Sequence, residues 1–190
     1  MDVFGTASER MELSNRVDFE RFYRKALRGP REKNLLAKAF KGLHSDELVV
    51  DTCCGLGEDL MRLRALFSRV VGIERNPFLA RLLQKAQRHF SLGGVEIIEG
   101  EAKAYDGPGR VFYMDPMYPL GPRQKSLAKR PLELLKKICG PDGDQVELLE
   151  ALLDKKPRRV VVKRPLKARP LLGERVKFTL EGKLIRFDIY

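Results

Sequence analysis

Acids close several apolar runs in this sequence, and two glycines follow the first of them. Asp51 ends Leu48-Val49-Val50, with Gly55 and Gly57 just beyond it. Glu74 ends the run Val70–Ile73, Glu101 follows the run that closes at Glu99, and Asp115 ends Val111–Met114. Glycine serves where the backbone takes positive φ or a ligand comes close. Glu58 and Asp59 then open a helical pattern whose first N–H groups can face an anion. Strand, Gly turn and helix N-terminus are the start of a nucleotide-binding α/β sheet. A dinucleotide site reads G-x-G-x-x-G, but Leu60 holds its third glycine position, which weakens that reading. Glu74, about 20 residues past the glycines, suits both hydroxyls of a ribose. Glu101 can receive an adenine amino group. Cys53 and Cys54 lie in the turn; a nucleophilic role is possible, but no motif for it accompanies them, and they read as small side chains lining the turn.

The elements that must position these groups follow from periodicity. Residues 1 to about 14 read as a loose polar arm. Helices are predicted over about 15–27 and 31–40, separated by Arg28-Gly29-Pro30. Strands are predicted at 48–52, 69–74, 95–99, 110–114 and 159–162, with helices after the glycine turn, after Asn76-Pro77 (an N-cap followed by a first-turn proline), and over 131–139 and 145–155. Two last strands, 174–180 and 184–190, form a hairpin at Glu181-Gly182-Lys183. Strands alternating with helices argue a parallel sheet covered on both faces. Ligands of such sheets sit beyond the carboxyl ends of the strands, where the acids stand.

Composition narrows the classes. The 190 residues suit one domain and include 43% hydrophobic residues. No apolar run approaches the roughly 20 residues of a membrane span, and no signal-peptide plan opens the chain. Three Cys and two His supply neither a disulfide framework nor a metal pattern. A cytoplasmic protein without metal is expected. The net charge of +11 favours a polyanionic partner. Basic residues cluster in three stretches: 21–41, 123–137 and 155–169. Arg123, Lys125, Lys129, Lys163 and Arg164 are the candidate phosphate contacts.

The acid followed by G-x-G resembles the first motif of class I S-adenosylmethionine (SAM)-dependent methyltransferases. Asp115-Pro116-Met117-Tyr118-Pro119 resembles the D/N-P-P-Y/F motif of amino methyltransferases, with Met117 in place of the second proline. The chemistry explains these residue types. The lone pair of an exocyclic base amine is delocalised into the ring and is a poor nucleophile. The Asp115 carboxylate and the Pro116 carbonyl can accept its two hydrogens and hold the nitrogen toward a methyl donor. Tyr118 offers a face for stacking, and the base must be unpaired or extruded.

Together with Glu74-Arg75-Asn76-Pro77, Gln124-Lys125-Ser126, Lys163-Arg164-Pro165 and Arg186-Phe187-Asp188-Ile189-Tyr190, these motifs resemble the bacterial small-subunit ribosomal RNA guanine-N2 methyltransferase J family. The resemblance covers about Val17 to Tyr190. It implies a class I, Rossmann-like, mostly parallel seven-stranded α/β sheet with a C-terminal antiparallel hairpin. Residues 1–45 would be an arm and helices packing on the sheet, and 46–190 the methyltransferase domain. It implies methyl transfer from SAM to N2 of a guanine in small-subunit (16S) rRNA, with the rRNA or the small ribosomal subunit as partner. Cofactor contacts would fall at Glu58-Asp59, Glu74-Arg75, Glu101-Ala102 and Asp115. The chain departs from the family's usual pattern where Glu58 stands for Arg, Glu101-Ala102 for two Ser, and Cys53-Cys54 for smaller residues. Amino methylation of adenine or cytosine, and RNA binding without catalysis, are the alternative functions.

Overall fold

The computed structural model describes residues 5–28, 34–118, 130–140 and 143–190. Its frame is a seven-stranded sheet in the order β3-β2-β1-β4-β5-β7-β6. The strands are β1 (Leu48–Asp51), β2 (Arg69–Glu74), β3 (Val95–Glu99), β4 (Val111–Met114), β5 (Arg159–Pro165), β6 (Phe178–Glu181) and β7 (Ile185–Ile189). The first five are mutually parallel; β7 runs antiparallel to both β5 and β6. β1 and β4 lie side by side at the centre, with β2 and β3 on one flank, so their carboxyl ends bring Asp51, Glu74 and Asp115 to one rim.

The β-branched central strands are buried on both faces, and alternate residues feed two cores. Val49, Val70, Tyr113 and Val161 face α3 (Leu35–Ala39) and α4 (Glu58–Leu66), with Leu60 and Leu63 fully buried. Val50, Ile73, Phe112 and Val162 face the opposite way, toward Leu148, Leu149 and Leu152 of α7 (Gln145–Asp154). A third cluster joins Leu13 of α1 (Ala7–Arg16), Leu79 of α5 (Pro77–His89), and Leu134 and Ile138 of α6 (Arg130–Cys139). The helix α2 (Phe19–Arg28) completes the set; its first turn is held by Asp18, whose carboxylate accepts the Arg21 N–H at 2.8 Å.

The N-terminal segment differs from its expected loose arm. Thr6 and Glu9 form a reciprocal capping box, which supplies partners for the exposed amides of the first turn. Leu13 is wholly buried against α6. The chain breaks at Val17-Asp18, inside the span expected as one helix over 15–27, so that α1 ends at Arg16 and α2 begins at Phe19. In the C-terminal hairpin the first strand is shorter than expected, because residues 173–175 turn as a 3-10 helix before β6 begins. β5 is longer, continuing through Lys163 and Arg164 to Pro165, where β7 pairs with it.

The edge of β3 is covered by α5. Gln84 and Gln87 donate side-chain N–H groups to the carbonyls of Ile97 and Val95, which point away from β2. Among the described residues, no helix is long and apolar enough to cross a membrane.

Candidate active site

The glycine turn is built from backbone constraints. Gly55 and Gly57 have φ of +52° and +77°, and a Cβ at Gly57 would lie 2.8 Å from Leu83 Cδ2. Gly57 is the N-cap of α4, so the chain enters the helix through a left-handed residue. The Gly57 N–H donates to the Cys54 carbonyl at 2.7 Å, closing the turn. Glu74, on the neighbouring strand, accepts the Gly55 N–H at 2.8 Å and the Asn76 N–H at 2.9 Å. Asp51 is buried, and its carboxylate accepts the Cys53 N–H at 3.2 Å. Burial pushes the Asp51 carboxyl well above the usual range against that hydrogen bond, and the nearby Asp59, Asp115 and Glu74 push the same way. The Cys54 thiol is likewise raised by burial, which makes it unfit as a thiolate nucleophile.

A charged chain crosses the rim beside this turn. Asp59, in the first turn of α4, accepts from Arg62 at 2.6 Å, from the Tyr113 hydroxyl at 2.6 Å and from the Lys163 ammonium at 2.7 Å. The same ammonium donates to Asp115 at 2.7 Å. Burial alone would raise the Asp59 carboxyl, but Lys163 and Arg62 outweigh it and hold the group below its ordinary value. At Asp115 burial wins over Lys163, with Asp59 adding to it, and the carboxyl is raised to about 6. Lys163 would be lowered by burial, yet its two carboxylate partners hold it above the ordinary lysine range.

Tyr118 is anchored from three sides. Its hydroxyl donates to the Lys163 carbonyl at 2.9 Å, the Lys136 ammonium donates to the Tyr118 carbonyl at 2.7 Å, and the Arg164 guanidinium lies 4.6 Å from the ring centroid. The guanidinium covers one face of the ring. Arg164 also donates to Gln145 and to the Arg169 carbonyl.

The structure thus brings together Asp51, Gly55, Gly57, Asp59, Glu74, Asp115 and Tyr118. The other expected residues stand differently. Glu58 pairs with Arg62 at 2.6 Å. Arg75 forms a two-pronged contact with Asp144 at 3.2 and 2.9 Å, and also approaches Glu101 at 3.2 Å. Ala102 is buried in the core facing α7. Arg123, Lys125 and Lys129 lie outside the described residues, as do Pro119, Gln124 and Ser126. The basic stretch 155–169 is not one face. Arg158 and Arg159 bind Glu47 and the carbonyls of Ala39 and Lys41 at the opposite end of the sheet, whereas Lys163 and Arg164 engage the rim. Sequence reasoning missed Arg62, Tyr113 and Asp144. Arg62 was readable, three and four residues after two acids; Tyr113 and Asp144 meet their partners across 54 and 69 residues.

A family model for SAM-dependent methyltransferases matches residues 8–190. The Ribosomal RNA small subunit methyltransferase J of Coxiella burnetii (strain Dugway 5J108-111) is 36% identical, over 88% of this chain and 70% of its own length. The chain belongs to the methyltransferase J family. A second member, from Dechloromonas aromatica (strain RCB), is 38% identical, over 92% of this chain and 77% of its own. Among solved structures, a SAM-dependent methyltransferase from Neisseria gonorrhoeae superposes with a TM-score of 0.67 at 26% identity, covering 92% of this chain and 73% of that one. A SAM-dependent methyltransferase from Aquifex aeolicus, at 16% identity and a TM-score of 0.54, shares the fold.

The cofactor of the methyltransferase J family is SAM, and the donor set fits it. A sulfonium and an ammonium call for carboxylates, and Asp51, Asp59, Glu74 and Asp115 share one rim. A ribose diol calls for an acceptor at the end of β2, where a carboxylate has about four lone-pair sites and Glu74 stands. A Cβ at Gly55 would stand at van der Waals distance, 4.0 Å, from the Cys53 carbonyl oxygen and Leu135 Cδ2, with no closer atom in the way of a ligand approaching the turn.

Proposed function

We propose that this chain transfers a methyl group from SAM to the exocyclic N2 of a guanine in small-subunit rRNA. The observation that carries the reading is the Asp115 carboxylate at the end of β4. It lies beside the glycine turn of β1 and is followed by Pro116 and an anchored Tyr118. The names of the relatives supply the small-subunit rRNA, and the amine-accepting set supplies the reacting atom.

Asp51, Gly55, Gly57, Asp59 and Glu74 would hold the cofactor, with Arg75, Glu101 and Ala102 at the edge of its site. Bound SAM supplies an electrophilic methyl: N2 takes the carbon, the carbon–sulfur electron pair stays on sulfur, and one amine proton is released. The protein supplies orientation. Asp115 and the Pro116 carbonyl accept the two amine hydrogens, and the Tyr118 ring stacks the base. The two acceptors pin the nitrogen and favour positive charge building on it. A guanine amine is available only when its base is out of the helix stack, so a single-stranded or extruded nucleotide is required. The basic side chains at 123, 125 and 129 would bind the phosphates around it.

The test is transfer from labelled SAM to small ribosomal subunits from cells lacking the enzyme, followed by nucleoside analysis. N2-methylguanosine is the expected product. Label in an adenosine or cytidine would assign the same site to another base. Full turnover by a folded Asp115→Ala variant would remove Asp115 from the mechanism.

A further inference from the structure

We infer that Lys163 is a positioning residue of this reaction, holding the Asp115 carboxylate ionised and aimed at the substrate amine, and not a phosphate contact. The inference rests on the proposed transfer to an amine. β5 runs beside β4 with Met114 opposite Val162, so the next residues, Asp115 just past the end of β4 and Lys163 still within β5, come side by side. The ammonium then sits 2.7 Å from Asp115 Oδ2 and 2.7 Å from Asp59 Oδ2. Asp59 is itself fixed by Arg62 and the Tyr113 hydroxyl, which makes it a rigid post for the lysine. The backbone carbonyl of Lys163 accepts from the Tyr118 hydroxyl. One residue therefore orients both the acid and the ring that would flank the base. Among the described residues, Asp115 Oδ1 has no hydrogen-bond partner, which leaves it for an amine hydrogen.

The charge balance gives the lysine its task. Ionised, the carboxylate offers the amine acceptors alone and strong ones; protonated, one oxygen becomes a donor and the other a weaker acceptor. Facing Asp115 are Asp51 of β1, Asp59 and Arg62 of α4, Tyr113 of β4, Lys163 of β5, and Tyr118 beyond β4. The acids and burial favour the proton, and Lys163, ahead of Arg62, opposes it. With the ammonium in place the carboxyl titrates at about 6. It is then ionised at neutral pH yet basic enough to take the proton released from N2 and pass it to solvent. A phosphate would meet an ammonium already closed between two carboxylates.

The test compares Lys163→Met, Lys163→Arg and Asp59→Asn with the unaltered protein. First, the Asp115 carboxyl is titrated by carbon NMR without cofactor or RNA. Lys163→Met is expected to raise its apparent pKa by about one unit or more, Lys163→Arg to leave it near its starting value, and Asp59→Asn to lower it. Second, the pH profile of kcat is measured on small subunits. Its acid limb is expected to move up in Lys163→Met and down in Asp59→Asn, with KM for the subunit within about twofold. A merely structural role would not move the two limbs in opposite directions. An unshifted Asp115 titration overturns the inference, as does a large rise in KM with a shallower salt dependence and an unmoved limb. If Lys163→Met does not fold, the other two variants decide by the same readouts. An unaltered protein that methylates no guanine would fail the functional proposal, while the NMR titration still decides the role of Lys163.

Discussion

The Glu74 carboxylate accepts the Gly55 N–H at 2.8 Å, so the end of β2 holds the turn at the end of β1. The acid expected to bind a ribose is also a fastener of the glycine loop. Glu74→Gln puts an amide NH₂ against the Gly55 or Asn76 N–H, two donors facing each other. SAM affinity is expected to fall roughly 10- to 100-fold by calorimetry. Unchanged affinity would show that the turn stands without this bond.

A side chain at Gly57 is strained and forces Leu83 to shift. The Gly57 φ of +77° and the 2.8 Å approach of Leu83 Cδ2 act together in Gly57→Ala. A loss of about 1–3 kcal/mol is expected in urea denaturation. A Gly57→Ala protein as stable as the original would mean that Leu83 repacks and that the left-handed entry to α4 is dispensable.

Asp115 is expected to trade stability for chemistry. Its carboxyl is raised from 3.8 to about 6, so between those pH values the folded state holds a proton that the unfolded state has lost. Its contribution to stability therefore falls as pH rises through that window, and the cost is complete above pH 6. The side chain keeps 32% of its surface exposed, which discounts the penalty for solvent screening to the order of 1 kcal/mol. Asp115→Asn should be more stable than the original at pH 7.5, nearly equal to it at pH 4, and slower in methyl transfer. Denaturation at the two pH values checks the sign.

Asp144 has the opposite sign. Hydrogen bonds from Arg75 bring its carboxyl down to about 2, against some burial and with help from Lys103. Its contribution is present above the unfolded value near 3.8 and is lost as pH falls toward 2. Asp144→Asn is expected to cost about 0.5–1 kcal/mol at pH 7 and almost nothing at pH 2. It also releases Arg75, so a change in SAM affinity would reveal whether that clamp shapes the cofactor site.

The capping box places the N-terminal helix among the elements that stabilise the fold. Thr6→Ala should cost about 1 kcal/mol, and Leu13→Ala, at a fully buried position, about 2–5 kcal/mol. Thermal unfolding reads both. Two neutral outcomes would return this segment to the status of a loose arm.

The strands and the acids at their ends were legible because β-branched runs, Gly turns and the Asn76-Pro77 cap act locally. The first helix was not, since its apolar content is slight. Its evidence is a Thr and a Glu three residues apart, and one leucine whose partner, Ile138, is far along the chain. The site divides the same way. Asp51, Glu74 and Asp115 stand at strand ends that periodicity locates. Lys163 looked like one member of a basic stretch, because nothing in its neighbours says that β5 will lie beside β4. Arg158 and Arg159 belong to that stretch too, yet the strand carries them to the far end of the sheet.

Gln84 and Gln87 lay two amides along the outer carbonyls of β3. An uncovered edge strand is a template for any extended chain that drifts past, including another copy of this protein. With those carbonyls taken, ladder growth from this side must first break side-chain bonds. Replacing both glutamines by leucine would leave the rim and its chemistry untouched while reopening the template. The expected loss is then in solubility during prolonged storage, a failure that a fresh activity assay would never register.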